Sequence, residues 1–198
     1  MVHVGALALV GSGEYLPGMQ QLEGDLLRSG IERGKSNHYV QLPLARGRES
    51  VDRLRYWQEI GAAQAERLNA EQVFLPVYTR ADAMREDLAT QIEGAGLIYL
   101  SGGDPSYLAT SLIDTPVWEA ILRNWRSGSA LAGCSAGAMA LSADIPNFRK
   151  QSEVGTPGLN VLPTLRTIPH YNKFFGWIPD GAAKVDGACS RRCICYWS

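Results

Sequence analysis

The sequence predicts an α/β fold, a three-layer α/β/α arrangement on a mostly parallel sheet, and three observations carry that expectation. Short runs rich in β-branched and apolar residues alternate with longer amphipathic ones, the pattern of βα units around a parallel sheet. Two of the short runs end in glycine turns, Gly11-Ser12-Gly13 and Gly102-Gly103, at the strand ends where open α/β sheets place their ligands. The chain has 198 residues, 45% of them hydrophobic and 20% charged. That suffices for one domain with a sizeable core and is short for two, so a single domain over 1–198 is expected.

The elements follow in order. VHVGALALV is the first strand, and MQQLEGDLLRSGIERG is a helix that stops at glycine. HYVQLPLA, QVFLPVY and GLIYLSGG are the next three strands, separated by helices in SVDRLRYWQEIGAAQAERLNA and RADAMREDLATQIEGA. DPSYLATSLIDTPVWEAILRNWRSG is a further helical stretch. It opens with Asp104 as N-cap and Pro105 at the first helical position, where proline loses no hydrogen bond. SALAGC is the fifth strand and AGAMALSAD the helix after it, with Asp144 at its end. Beyond about residue 145, Pro146, Gly155, Pro157, Gly158 and Pro163 break any long helix. Loops and short strands are expected there, with PTLRTIPHY a strand that carries His170 to its end.

A formal net charge of -1 gives no bulk attraction to nucleic acid or an anionic membrane. No apolar run approaches the roughly 20 residues needed to span a bilayer. The opening MVHVGALALVGSGEYLPG lacks a basic leader and export processing signals, so a cytoplasmic location is the expectation. Cys189, Cys193 and Cys195 crowd the C-terminus, but no nearby histidine completes a zinc spacing. The composition from about residue 181 departs from the rest of the chain, as an atypical or truncated tail would.

The chemistry gathers at LAGCSAGAMAL, where Ser135 stands in a Gly-Cys-Ser-Ala-Gly pattern between a buried strand and a helix. Small neighbours let such a turn form a sharp elbow that lifts the serine out of the sheet edge. Backbone N–H groups and the helix dipole at that point favour a developing oxyanion. The bland alternative is a glycine-permitted turn with an incidental serine. Cys134 competes as a nucleophile, but it lies one position before the apex and reads as core. Serine needs a base, and His170 is the only histidine downstream of it. A third group must orient the imidazole; Asp144 and Glu153 lie between the two, Asp180 and Asp186 beyond, and spacing does not choose among them. The glycines of SGGDP permit close backbone approach, so the N–H groups of Gly103 and Ala136 make an oxyanion pair. Asp104 and Lys173 are the candidate substrate-binding residues, with Arg149 and Arg166 as further basic groups for a substrate carboxylate. GSGEYLPG imitates a dinucleotide loop, yet Leu16 stands where the third glycine belongs.

Taken together, GSGE, YLSGGDPSYL, GCSAGAM and PHY, in that order over roughly residues 5 to 175, resemble peptidase family S51. This family comprises aspartyl dipeptidase (peptidase E), cyanophycinase and relatives with the class I glutamine amidotransferase-like, flavodoxin-like fold. The resemblance implies a serine peptidase without metal or organic cofactor, acting on short peptides and forming a homodimer. It places the nucleophile at Ser135, the base at His170, the acid at Glu153 in preference to Asp144, and an oxyanion amide at Gly103. Serine at the apex, where the related amidotransferases carry cysteine, disfavours glutaminase chemistry. Two other readings compete: a small esterase of the α/β-hydrolase kind, for which the interval between Ser135 and His170 is short, and a non-catalytic binding protein on the same scaffold.

Overall fold

The computed structural model describes residues 4–146 and 155–170. Strands β1 (Leu7–Val10), β2 (His38–Leu42), β3 (Glu71–Phe74), β4 (Leu97–Leu100) and β5 (Ala130–Cys134) form one sheet in the order β1-β5-β4-β2-β3. Every neighbouring pair is parallel. Parallel strands need crossovers, and the helices that supply them cover both faces. Helices α1 (Gln20–Ile31) and α2 (Val51–Arg67) lie on one face. Helices α3 (Arg80–Ala83), α4 (Glu86–Thr90), α5 (Pro105–Leu112), α6 (Pro116–Arg126) and α7 (Ala136–Ala140) lie on the other. The fold is therefore the expected three-layer α/β/α.

Side-chain alternation along the strands divides the core in two. Tyr39, Leu97, Tyr99, Ala130, Ala132 and Cys134 pack with Leu26, Leu27 and Ala65 beneath α1 and α2. Val40, Leu42, Ile98, Leu100 and Leu131 face the second helical layer. β4 is central and wholly buried, which explains why its sequence is a continuous apolar run. β2 leads outward to β3, whereas β4 leads back to β5. That reversal opens a crevice beyond the carboxyl ends of the strands, where all the turns discussed below converge.

Four expectations are corrected. The helix expected over 80–95 is two short ones, because Arg85 adopts an extended conformation (φ -84, ψ 120) between them. Burial of Ala83, Leu88, Ala89 and Ile92 in one cluster overrides local propensity there. The stretch 104–128 is also two helices. Asp114 turns the chain at φ 55, and Thr115 caps α6 by accepting from Trp118 N, with Pro116 next. The elbow helix ends at Ala140 rather than at Asp144, because the returning chain takes its last carbonyls. Leu159 N donates to Ala140 O at 2.7 Å, and Val161 N and Leu162 N donate to Leu141 O at 3.0 Å. Asp144 instead opens β6 (Asp144–Ile145), antiparallel to β7 (Thr156–Pro157). Finally, the described part of the strand expected over 163–171 is turn and irregular chain, with only Leu162, just before it, in an isolated bridge to Ser142. Glu153, Arg149, Lys173, Asp180, Asp186 and the three C-terminal cysteines lie outside the described residues.

Candidate active site

The turn from β5 into α7 is a strained elbow, and its two glycines are sterically required. A Cβ on Gly133 would lie 2.5 Å from the carbonyl carbon of Gly137 and 2.7 Å from Ala138 N. A Cβ on Gly137 would lie 2.2 Å from Leu100 O. Helix α7 thus doubles back onto its own strand and presses on β4. Ser135 at the apex takes φ 49 and ψ -105, a conformation an L-residue adopts only under constraint. The constraint is partly visible: Ser135 N donates to Val10 O at 2.8 Å, and Met139 N donates to Ser135 O at 3.0 Å. An ordinary glycine turn would hold its serine in a relaxed conformation. Helix α7 is five residues long, so what it offers the site is its first N–H groups, which have no acceptor within the helix.

His170 reaches this serine from the end of the described chain. Its Nε2 lies 3.1 Å from Ser135 Oγ; with the imidazole proton on Nδ1, the hydroxyl donates to Nε2. The approach is built from backbone. Gly158 N donates to Ala143 O, the returning chain follows α7, and His170 N reaches Gly11 O at 3.3 Å with φ 52. The structure therefore brings together two residues singled out from sequence, with no strand to carry the second.

Gly102 and Gly103 lie beside them at the end of β4. Gly103 has φ 137, and a Cβ there would sit 2.4 Å from Ala45 O, so the position admits only glycine. Asp104, proposed above to touch substrate, uses its carboxylate to cap α5, accepting from Tyr107 N at 2.9 Å. Asp144 accepts from Arg166 Nη2 at 2.9 Å, an exposed pair that engages two other candidates. Cys134 is 1% exposed, and burial, followed by the charge of Glu14, pushes its thiol up to about 12. It stays protonated at neutral pH, which disfavours it as a nucleophile.

Sequence reasoning missed two residues. Glu14, only 7% exposed, reaches across from the β1 turn to Gly102 N at 2.9 Å and to Arg46 Nη2 at 2.9 Å. Arg46 also donates to Glu49 Oε1 at 3.0 Å and lies 3.4 Å over the Trp57 ring. A Cβ on Gly102 would fall 2.9 Å from Glu14 Oε2, 3.3 Å from Arg46 Nη2 and 3.5 Å from Ser135 Cβ, so all three surround that glycine. The available signal was the glutamate that ends GSGE. Among the described residues no group of three or more His, Cys, Asp or Glu side chains is arranged to hold a metal ion, and no helix is long and apolar enough to cross a membrane.

The model of peptidase family S51 matches residues 7–181. The chain belongs to peptidase family S51. Its similarity to solved structures extends over most of the chain: a peptidase from an acI-B1 Actinobacterium is 51% identical, with a TM-score of 0.86 over 92% of this chain and 75% of that one. A candidate peptidase E from Listeria monocytogenes EGD-e, 21% identical, shares the fold with a TM-score of 0.62 over 98% of this chain and 91% of its own. A cyanophycinase from Trichormus variabilis is 28% identical over 163 residues, covering 75% of this S51 chain. One from Synechococcus elongatus is 32% identical over 108 residues, covering 50% of this chain and 33% of its own length. The chain spans about half the length, 52%, of the Trichormus relative.

Proposed function

We propose that this S51 chain is a serine peptidase in which Ser135 attacks the scissile carbonyl and His170 takes the hydroxyl proton. The observation that carries this reading is the 3.1 Å approach of His170 Nε2 to a serine held at φ 49 on a glycine-framed elbow. A nucleophile and base within hydrogen-bond reach are the minimum the chemistry needs. The proton taken by His170 then passes to the leaving amine, the acyl-enzyme forms on Ser135 Oγ, and water, activated by the same imidazole, releases it. The oxyanion is received by the N–H groups of Gly103 and Ala136. Among the described residues Gly103 N has no acceptor, and Ala136 is the first residue of α7.

Glu153 is the proposed third member, orienting the imidazole. Engagement of the Asp144 carboxylate by Arg166 favours Glu153 over Asp144. The substrates proposed are short peptides, Asp-X dipeptides among them, in keeping with the aspartyl dipeptidase resemblance. No metal or organic cofactor enters these steps.

The test is covalent labelling with a fluorophosphonate, followed by a panel of Asp-X dipeptides, tripeptides and β-aspartyl-arginine. Labelling confined to Ser135, abolished in Ser135→Ala and slowed at least a hundredfold in His170→Ala, is expected, since removing one triad member costs several powers of ten. Folded protein that leaves Ser135 unmodified would sink the proposal.

A further inference from the structure

The end of β1 and the turn that follows it touch the Ser135 elbow, His170 and the β4 turn, although none of their residues has a place in the reaction just described. Val10 O accepts from Ser135 N at 2.8 Å and Gly11 O from His170 N at 3.3 Å. Glu14 Oε2 accepts from Gly102 N, and the next side chain, Tyr15, joins Ser101 Oγ through its hydroxyl at 2.9 Å. Two consecutive residues of the β1 turn therefore clasp two consecutive residues at the end of β4. These strands are not neighbours, because β5 runs between them and leads directly into Ser135. The clasp passes over the carboxyl end of the strand that bears the serine. It is dry: Tyr15 is 1% exposed, Glu14 7% and Ser101 2%. It is also held against backbone resistance at Tyr15, φ 59, while Gly13 at φ 91 supplies the turn without strain.

The donors of the β4 turn show what the clasp does. Ser101 N donates to Leu42 O at 3.1 Å, continuing the sheet, and Asp104 N donates to Ala45 O at 2.8 Å. Gly102 N is taken by Glu14 at 2.9 Å. Of the four N–H groups over 101–104, only that of Gly103 has no acceptor among the described residues. A Gly-Gly pair has wide conformational freedom, and Glu14 removes it on one side while the Asp104 bond to Ala45 removes it on the other. A carboxylate beneath a developing oxyanion would oppose catalysis if its charge were uncompensated. Arg46 compensates it at 2.9 Å, and is itself fixed by Glu49 and the Trp57 ring.

We infer that Glu14 is a positioning residue for the reaction: its neutralised carboxylate pins Gly102 N so that the N–H of Gly103 is presented to the oxyanion. This rests on the reading of Ser135 as nucleophile, and its test separates the two. Fluorophosphonate labelling of Ser135 is followed as a rate at saturation and a half-saturating concentration, alongside thermal melting, in wild type, Glu14→Ala and Glu14→Gln. Loss of a preset donor slows chemistry more than binding. Glu14→Ala is expected to lower the saturated rate about ten- to hundredfold with half-saturation within about twofold of wild type. Glu14→Gln, whose amide oxygen still accepts from Gly102 N, is expected to recover to within about threefold. Equal rates for Glu14→Ala and wild type, or a folded Glu14→Gln no faster than Glu14→Ala, would overturn the inference while leaving the nucleophile in place. An unlabelled wild type would instead overturn the nucleophile. Should Glu14→Ala not fold, Arg46→Gln takes its place: it leaves the carboxylate uncompensated and slows labelling, and adding Glu14→Gln restores the rate. A double variant no faster than Arg46→Gln alone would refute the role.

Discussion

Replacing Gly133 by alanine tests whether the elbow geometry sets the chemistry. The added Cβ would run into the face of one peptide group, 2.5 Å from Gly137 C, 2.6 Å from Gly137 O and 2.7 Å from Ala138 N. Comfortable carbon contacts begin near 3.5 Å, so the first turn of α7 must retreat by roughly 1 Å. No flexible side chain is available to yield, and the retreat falls on the backbone directly after Ser135. Overpacking of this kind costs about 1–3 kcal/mol, which for a chain of this size lowers Tm by roughly 2–12 °C. The effect on reactivity is larger: a displacement of about 1 Å between reacting groups costs on the order of a hundredfold, and the Ser135 to His170 contact has little slack at 3.1 Å. Fluorophosphonate labelling rate and differential scanning calorimetry on the same preparation measure both. Gly18→Ala is the control, because a Cβ there meets nothing within 4 Å. A Gly133→Ala protein that labels at the wild-type rate would refute the reasoning, since the clash would then have been absorbed without moving the serine.

Two further predictions follow from the backbone and the buried acids. Ser135→Gly abolishes labelling but raises Tm by about 2–4 °C: relief of a strain of about 1–3 kcal/mol at φ 49 exceeds the entropic cost of glycine, about 0.5–1 kcal/mol. A Tm at or below wild type would show that the elbow is relaxed. Burial raises the Cys134 thiol from 9.0 to about 12 and holds the hydroxyls of Tyr15, Tyr39 and Tyr99 well above 10.0. The unfolded chain therefore loses these protons first as pH rises, so the stability they contribute is complete below about pH 9 and falls progressively through pH 12. Tm measured against pH should decline over that window, and iodoacetamide at about pH 8 should leave Cys134 of the native protein unmodified by mass spectrometry. Rapid alkylation at Cys134 would contradict its burial.

The order of strands and helices was legible because periodicity reports which faces are buried. The short buried runs of β4 and β5, LIYL and ALAGC, needed no tertiary information. Where the structure departs from that reading, the cause is tertiary. Nothing in Met84-Arg85 marks the break between α3 and α4, which follows from the joint burial of Ala83 and Leu88. The break at Asp114 was written in the sequence, in a Thr-Pro pair that caps and starts a helix, but it was overshadowed by the amphipathic pattern on either side. Ser135 and His170 were found from motif and elimination. Glu14 was not: GSGE contributed to the family resemblance, but nothing in the motif tells which groups its glutamate meets. Only the return of β4 beside β5 reveals what its carboxylate touches.

The pairing of β1 with β5, Leu7 opposite Leu131, builds a delay into the assembly of the site. Strand β1 is made first, yet its partner emerges only after three other strands, and the segment that carries His170 must then return to Gly11. Contacts so distant along the chain close late and slowly. A nascent or fragmentary chain therefore holds a relaxed Ser135 with no base beside it. Under the proposed mechanism, hydrolytic capacity appears only with the finished fold, and a peptidase assembled this way is harmless to its own unfolded state.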